Sequence, residues 1–315
     1  MVNELIIMPN WLGDCMIALS VIHRKISMQH TNLFLLINPA LVDICSALYD
    51  VPVIPFKRNN FSEYKMTLKI IKEKKFDAVY ILPPSFSSVF FSFLCGIKKR
   101  RGISCDFRTL LLTQPLPASL RKRTNHMVYE YSIVLETDFV PPEYWQGIKL
   151  PKHENYVGSI VFCPGAKYGP AKQWKGFVEL ANLLNGKEIV LLGDELDCDI
   201  AEEIESSCEG PIINLVGKTS LIQAAQIISH AKIVVSNDSG LMHVAGYTGT
   251  PVVGIFGSTS PLWTRPLGNK VKIAQVKTNC SPCFKRLCRY KDYHCLNNIS
   301  AQEVLSLMEQ LVGHI

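Results

Sequence analysis

Seven short aliphatic runs punctuate the chain: ELIIM at 4–8, LFLLI at 33–37, AVYIL at 78–82, SIVFC at 159–163, EIVLL at 188–192, KIVVS at 232–236 and PVVGIF at 251–256. They are continuously apolar instead of alternating, the pattern of strands covered on both faces. Several intervening stretches carry apolar residues at helical spacing, as in CMIALSVIHRKI at 15–26, FVELANLL at 177–184 and SLIQAAQIISHA at 220–231. Strands alternating with helices predict an α/β chain built on parallel sheet. Residues 137–156, TDFVPPEYWQGIKLPKHENY, are proline-rich, polar and aperiodic, as linkers are. On either side the chain opens alike, with ELIIMPNWLGD at 4–14 and SIVFCPGAKYG at 159–169. Two Rossmann-like, doubly wound domains are therefore expected, 1–150 and 151–315, facing across a cleft, with ligands at the C-terminal ends of their strands. The last helix is expected to pack back on the first domain.

Composition narrows the picture only a little. The 315 residues are 48% apolar and 19% charged, ordinary for a globular chain of two cores. A net charge of +6 favours anionic partners without choosing among them. The N-terminus lacks the basic leader of a signal peptide, and SFSSVFFSFLCGI at 85–97 falls short of the roughly 20 residues of a membrane span. Seven of the eleven cysteines are scattered singly through apolar segments, as buried thiols are, so a cytoplasmic setting is expected.

Candidate chemistry gathers where strands end. CPGAKYGPAKQWKGF at 163–177 joins a strand to a helix through a turn that holds Gly165 and Lys172. Glycine lets backbone N–H groups approach an anion, the next helix offers its positive end, and lysine adds a mobile point charge. The same composition also suits a solvated basic loop. In NDSGLMHVA at 237–245, Asp238, Ser239 and Gly240 open a helix, and His243 shares the face of Ser239 one turn on. Those residues could cradle a phosphate or simply cap the helix. Glu195, just after EIVLL, is placed to accept hydrogen bonds from ribose hydroxyls, or to cap the following helix. Asp14 at the start of the first helix reads as a cap, or as a general base pointing across the cleft.

NWLGD, FCPGAKYGPAKQW, NDSGLMHVA and CSPCFKRLC together resemble the heptosyltransferases of lipopolysaccharide core assembly, glycosyltransferase family 9, over nearly the whole chain. The resemblance implies a GT-B fold, with the nucleotide sugar on the C-terminal domain and the acceptor on the N-terminal one. It implies metal-independent inverting transfer from ADP-heptose, with no cofactor, to the first heptose of a Kdo–lipid A inner core. Asp14 matches the family's catalytic base, Lys172 its diphosphate lysine and Glu195 its ribose carboxylate. Asp238, Ser239, Gly240 and His243 match its donor-phosphate turn. Thr219 stands where a methionine contacts adenine in some relatives.

Two basic stretches of the first domain, IKKRRGISCDFR and RKRTNHMVYEY, read residue by residue as a solvated face, or together as a patch for an acidic, lipid-linked acceptor at the cytoplasmic face of the inner membrane. Arg101, Arg108, Arg121, Arg123 and His126 are the candidates there. Cys280, Cys283, Cys288 and Cys295 follow a C-x2-C-x4-C-x6-C spacing that admits a metal, two disulfides or four free thiols. A zinc-based nucleic-acid module fits poorly, because no recognition helix lies between those cysteines. The remaining rivals are a transferase for another sugar or acceptor and a catalytically silent nucleotide-binding protein.

Overall fold

The computed structural model describes residues 2–28, 31–57, 60–184 and 186–315. The chain divides into two compact units, Met1–Pro141 and Pro142–Ile315. The first carries strands β1 (Val2–Ile7), β2 (Thr31–Ile37), β3 (Val53–Pro55), β4 (Ala78–Ile81), β5 (Lys99–Ile103) and β6 (Gln114–Leu116). Its helices are α1 (Leu12–Ser27), α2 (Val42–Leu48), α3 (Phe61–Lys74), α4 (Phe86–Leu94) and α5 (Met127–Leu135). The second unit carries β7 (Ile160–Cys163), β8 (Ile189–Leu191), β9 (Ile212–Asn214), β10 (Ile233–Asn237), β11 (Val252–Ile255) and β12 (Val271–Ala274). Its helices are α6 (Phe177–Leu183), α7 (Cys198–Ser207), α8 (Leu221–Ser229), α9 (Gly240–Thr248), α10 (Pro261–Thr264), α11 (His294–Asn297) and α12 (Ala301–Val312).

Each unit holds a parallel six-stranded sheet, in the orders β3-β2-β1-β4-β5-β6 and β12-β11-β10-β7-β8-β9. Counted from its own first strand, each order is the doubly wound 3-2-1-4-5-6. Strand order therefore reverses between β1 and β4 and again between β7 and β10. Each reversal opens a crevice at the strands' C-terminal ends.

Strands β4, β7, β10 and β11 are buried along their length, as continuous apolar runs require. In the second unit Phe162, Trp174, Phe177 and Leu296 join one core with the inner faces of α7 and α12. The last helix, α12, packs on α6, β11 and β12 of this unit. Residues 142–150 are likewise tied into it, since the Trp145 indole N–H donates to the Tyr247 carbonyl at 2.7 Å.

Candidate functional site

The crevice of the second unit lies between the turn after β7 and the turn after β10, and one side chain joins them. The Asn237 amide donates to the Pro164 carbonyl at 2.6 Å, while its oxygen accepts from the Trp174 amide at 3.1 Å. Trp174 is held in turn from the far side, its indole N–H donating to the Ile299 carbonyl at 2.9 Å. The two turns are thus locked to one another before any ligand arrives.

On that frame the Lys172 ammonium lies 2.5 Å from the buried Asp238 carboxylate. The Thr259 hydroxyl donates to the same oxygen at 2.5 Å, and His243 Nε2 lies 3.9 Å from the other. Lys172 also sits over the Tyr168 ring, 4.8 Å from its centroid. Ser239 starts α9 but makes no side-chain cap, pairing at 3.1 Å with the Ser236 hydroxyl. The expected cap chemistry is therefore absent at Ser239 itself, and the first N–H groups of α9 face the crevice beside an ammonium and an imidazole. Such a group of donors is suited to a diphosphate.

Gly165 has a reason other than a close ligand. A Cβ there would fall 2.0 Å from the Asp197 carboxylate, which packs over the turn and accepts from the Asp194 amide at 3.1 Å. Burial pushes the Asp197 carboxyl up, and the hydrogen bond from the Asp194 amide opposes that rise. Lys167 pairs with Asp194 at the margin. Glu195 is exposed at the end of β8, and its side chain borders Gly217 in the β9–α8 turn that also carries Thr219.

The cysteine-rich segment buttresses this site. Phe284 accepts at its carbonyl from the Tyr168 hydroxyl at 2.6 Å, and Arg286 accepts at its carbonyl from the Ala171 amide at 3.2 Å. Gly169, at φ +128°, lets the Arg286 carbonyl come that close. The Ser281 hydroxyl donates to the Gly257 carbonyl at 2.6 Å. All eleven cysteines are free thiols. Cys280, Cys283 and Cys288 lie near enough to Cys295 to push its thiol up, after burial. Among the described residues no group of three or more His, Cys, Asp or Glu side chains is arranged to hold a metal ion.

In the first unit the crevice between β1 and β4 carries Asp14, half-buried in the first turn of α1. Its charge reaches the buried Tyr131 of α5, whose phenol is pushed up first by burial and then by Asp14. Arg121 lies in the same neighbourhood, 3.6 Å from Glu130. Arg108 is buried, donating to the Pro83 carbonyl at 2.8 Å, and burial pulls its guanidinium down. Arg123 is exposed.

Two of the basic candidates have structural duties. Arg101 donates to the last carbonyls of α5, Ile133 at 3.0 Å and Val134 at 3.1 Å, and pairs with Glu136. His126 is the buried N-cap of α5, accepting from the Val128 amide at 3.2 Å. Asn237, Thr259, Tyr168 and Asp197 received no role from the sequence. Asn237 had a visible signal, an amide ending an apolar strand, whereas Thr259 and Asp197 are brought in only by folding.

The description "Glycosyltransferase family 9 (heptosyltransferase)" matches residues 66–294, well over half of the chain. The chain is 28% identical to lipopolysaccharide heptosyltransferase 2 of Escherichia coli K12, covering 98% of each. It is 30% identical to lipooligosaccharide heptosyltransferase 2 of Haemophilus influenzae, over 87% of this chain and 88% of that one. The solved structure of the E. coli ADP-heptose lipopolysaccharide heptosyltransferase II superposes with a TM-score of 0.81 at 27% identity, covering 99% of this chain and 98% of that one. The fold is the two-domain α/β fold of the GT-B glycosyltransferases, and the chain belongs to glycosyltransferase family 9, the heptosyltransferases.

Proposed function

We propose that this glycosyltransferase moves L-glycero-D-manno-heptose from ADP-heptose to the first heptose of the lipopolysaccharide inner core, at the cytoplasmic face of the inner membrane. The donor and acceptor classes are supported by the names of the full-length relatives. The observation that carries the chemistry is the Lys172 ammonium, held by Asp238 beside the N-terminus of α9. A leaving diphosphate gains negative charge as its bond to the sugar breaks. A fixed ammonium and aligned N–H groups stabilise that charge without reorganising. Asp238 is thereby a positioning group, since a carboxylate facing a diphosphate would repel it. His243 and Thr259 complete the shell around it.

Asp14 is the base in this reading. Its carboxylate takes the proton of the acceptor hydroxyl, whose oxygen bonds the anomeric carbon as the bond to the β-phosphate oxygen breaks. ADP leaves with the electron pair, and the configuration inverts. Glu195 accepts from the ribose hydroxyls, Thr219 borders the base, and Arg121 and Arg123 face the anionic acceptor, while Arg108 is buried in the fold. The test is mass spectrometry of a Kdo–lipid A acceptor bearing one heptose after incubation with ADP-heptose. A gain of one heptose, absent with Asp14→Asn, supports the reading. No gain with ADP still bound tightly overturns the acceptor assignment, and a fully active Asp14→Asn overturns the base.

A further inference from the structure

Helix α4 of the first unit is apolar on both its sides. Its sequence, FSSVFFSFL, buries Val89 and Phe91 together with Ser88 and Ser92, and leaves Phe86, Phe90 and Phe93 51%, 40% and 47% exposed. Spacings of four and three residues set those phenylalanines on one face, and the first two rings stack at 5.8 Å. The buried hydroxyls are provided for locally: Ser88 meets Ser85 at 2.6 Å, and Ser92 donates to the Val89 carbonyl at 2.7 Å. Alongside α4 packs the short 3₁₀ turn Asp106–Leu111, which adds Phe107 and Leu110, 80% and 84% exposed. Contiguous apolar surface of this kind marks a contact.

Charge says what the contact is. The Arg100 guanidinium lies 5.5 Å from the Phe93 ring, and Lys98 and Lys99 beside it are exposed, while Asp106 is the acidic exception. An aromatic centre with a cationic margin matches a lipid interface, where rings enter the headgroup layer and cations meet anionic lipid. A second copy of the chain fits worse, because a two-fold interface sets the same margin against itself, cation on cation. Nine residues cannot span a bilayer, so the helix lies in the interface plane.

We infer that α4 and the 106–111 turn form a docking face for an anionic phospholipid bilayer, seated by the exposed phenylalanines and held by the cations at their edge. The inference rests on the reading above for its purpose, since a lipid-anchored acceptor is found at that surface, and on α4 for its evidence.

The test is sedimentation of the full chain with phosphatidylcholine vesicles, with and without phosphatidylglycerol. The chain is expected to sediment with the anionic vesicles and to be released by salt. Phe90→Ser with Phe93→Ser should weaken that binding by about tenfold or more. Lys98→Glu with Lys99→Glu should weaken it by about tenfold and flatten its salt dependence. Val157→Ser, an exposed apolar position of the second unit, should change nothing. Transfer to a deacylated, water-soluble acceptor should be equal in wild type and the phenylalanine variant, with loss confined to acceptor in vesicles. No vesicle binding, binding indifferent to the phenylalanines, or a wild-type dimer that the phenylalanine variant splits would each overturn the docking face. Vesicle binding without transfer to any acceptor would leave it standing and remove the functional reading instead.

Discussion

The two units share one strand order, yet their crevices are built to opposite specifications. In the second, Asn237 bonds both turns, and Lys172, Asp238 and Thr259 are packed together against a buttress of residues 281–286. In the first, Asp14 and Arg121 stand half-buried at the rim, and the neighbouring α4 offers phenylalanines to the outside. A small, invariant diphosphate rewards preorganisation, because every donor can be fixed where charge will develop. On the proposed reading the first unit meets a large, lipid-anchored saccharide, which cannot be enclosed in that way, and exposed charge and apolar surface suit it better. One strand order thus carries two differently built crevices, and the difference lies in the turns.

The comparison is broken most severely at its two reacting ends. Asp14→Asn should lower single-turnover transfer by about 10²–10⁴ while calorimetry finds ADP binding intact. A loss of ADP affinity in that variant would move Asp14 out of the acceptor side. Lys172→Ala should cost about 10²–10³ in turnover and also weaken ADP. It strands the Asp238 carboxylate, so the melting temperature should fall and recover in the double variant with Asp238→Asn. Failure of that recovery would mean that the loss does not come from a stranded Asp238 charge.

Smaller changes sharpen the contrast. Gly165→Ala must displace the Asp197 carboxylate, and a stability loss of about 1–3 kcal/mol is expected from chemical denaturation. Trp174→Phe removes the indole donor to Ile299 and should cost about 1 kcal/mol on the same assay. The smallest effect is a pH dependence. Burial raises the Asp197 carboxyl, so the fold favours its protonated form. That contribution is complete below the unfolded value of about 3.9 and is lost as pH rises through the raised folded one. The isosteric Asp197→Asn stays neutral, so its melting temperature should gain on wild type from about pH 4 upward. Parallel melting curves would show that Asp197 is not strained by its burial.

Much of this organisation was legible in the residues. β1, β2, β4, β7, β8, β10 and β11 fall on apolar runs, and the turns bearing Asp14, Lys172 and Asp238 stand at strand ends where the pattern put them. The strands that escaped were edge or polar ones. β3, β6 and β9 have three residues each, and β5 begins with Lys99, Arg100 and Arg101, so its basic sequence read as a surface patch. Arg101 shows why that reading fell short: its partners, Ile133, Val134 and Glu136, lie more than 30 residues away. The buttressing role of the cysteine segment was illegible for the same reason, since its bonds are made by backbone carbonyls at 284 and 286, which no residue type announces.

By itself the sequence determined which segments are buried on both faces, where they stop and which charged residues stand at those stops. Periodicity, glycine and proline act within a few neighbouring residues, and burial follows from them. Only the tertiary structure decided which of those charges face a ligand and which are consumed by the fold. It gave Asp238 to Lys172, laid Asp197 over Gly165 and set Arg101 on the end of α5. Each of those outcomes is a contact between residues distant in the chain, and a side chain's partner is fixed by where the sheets bring it.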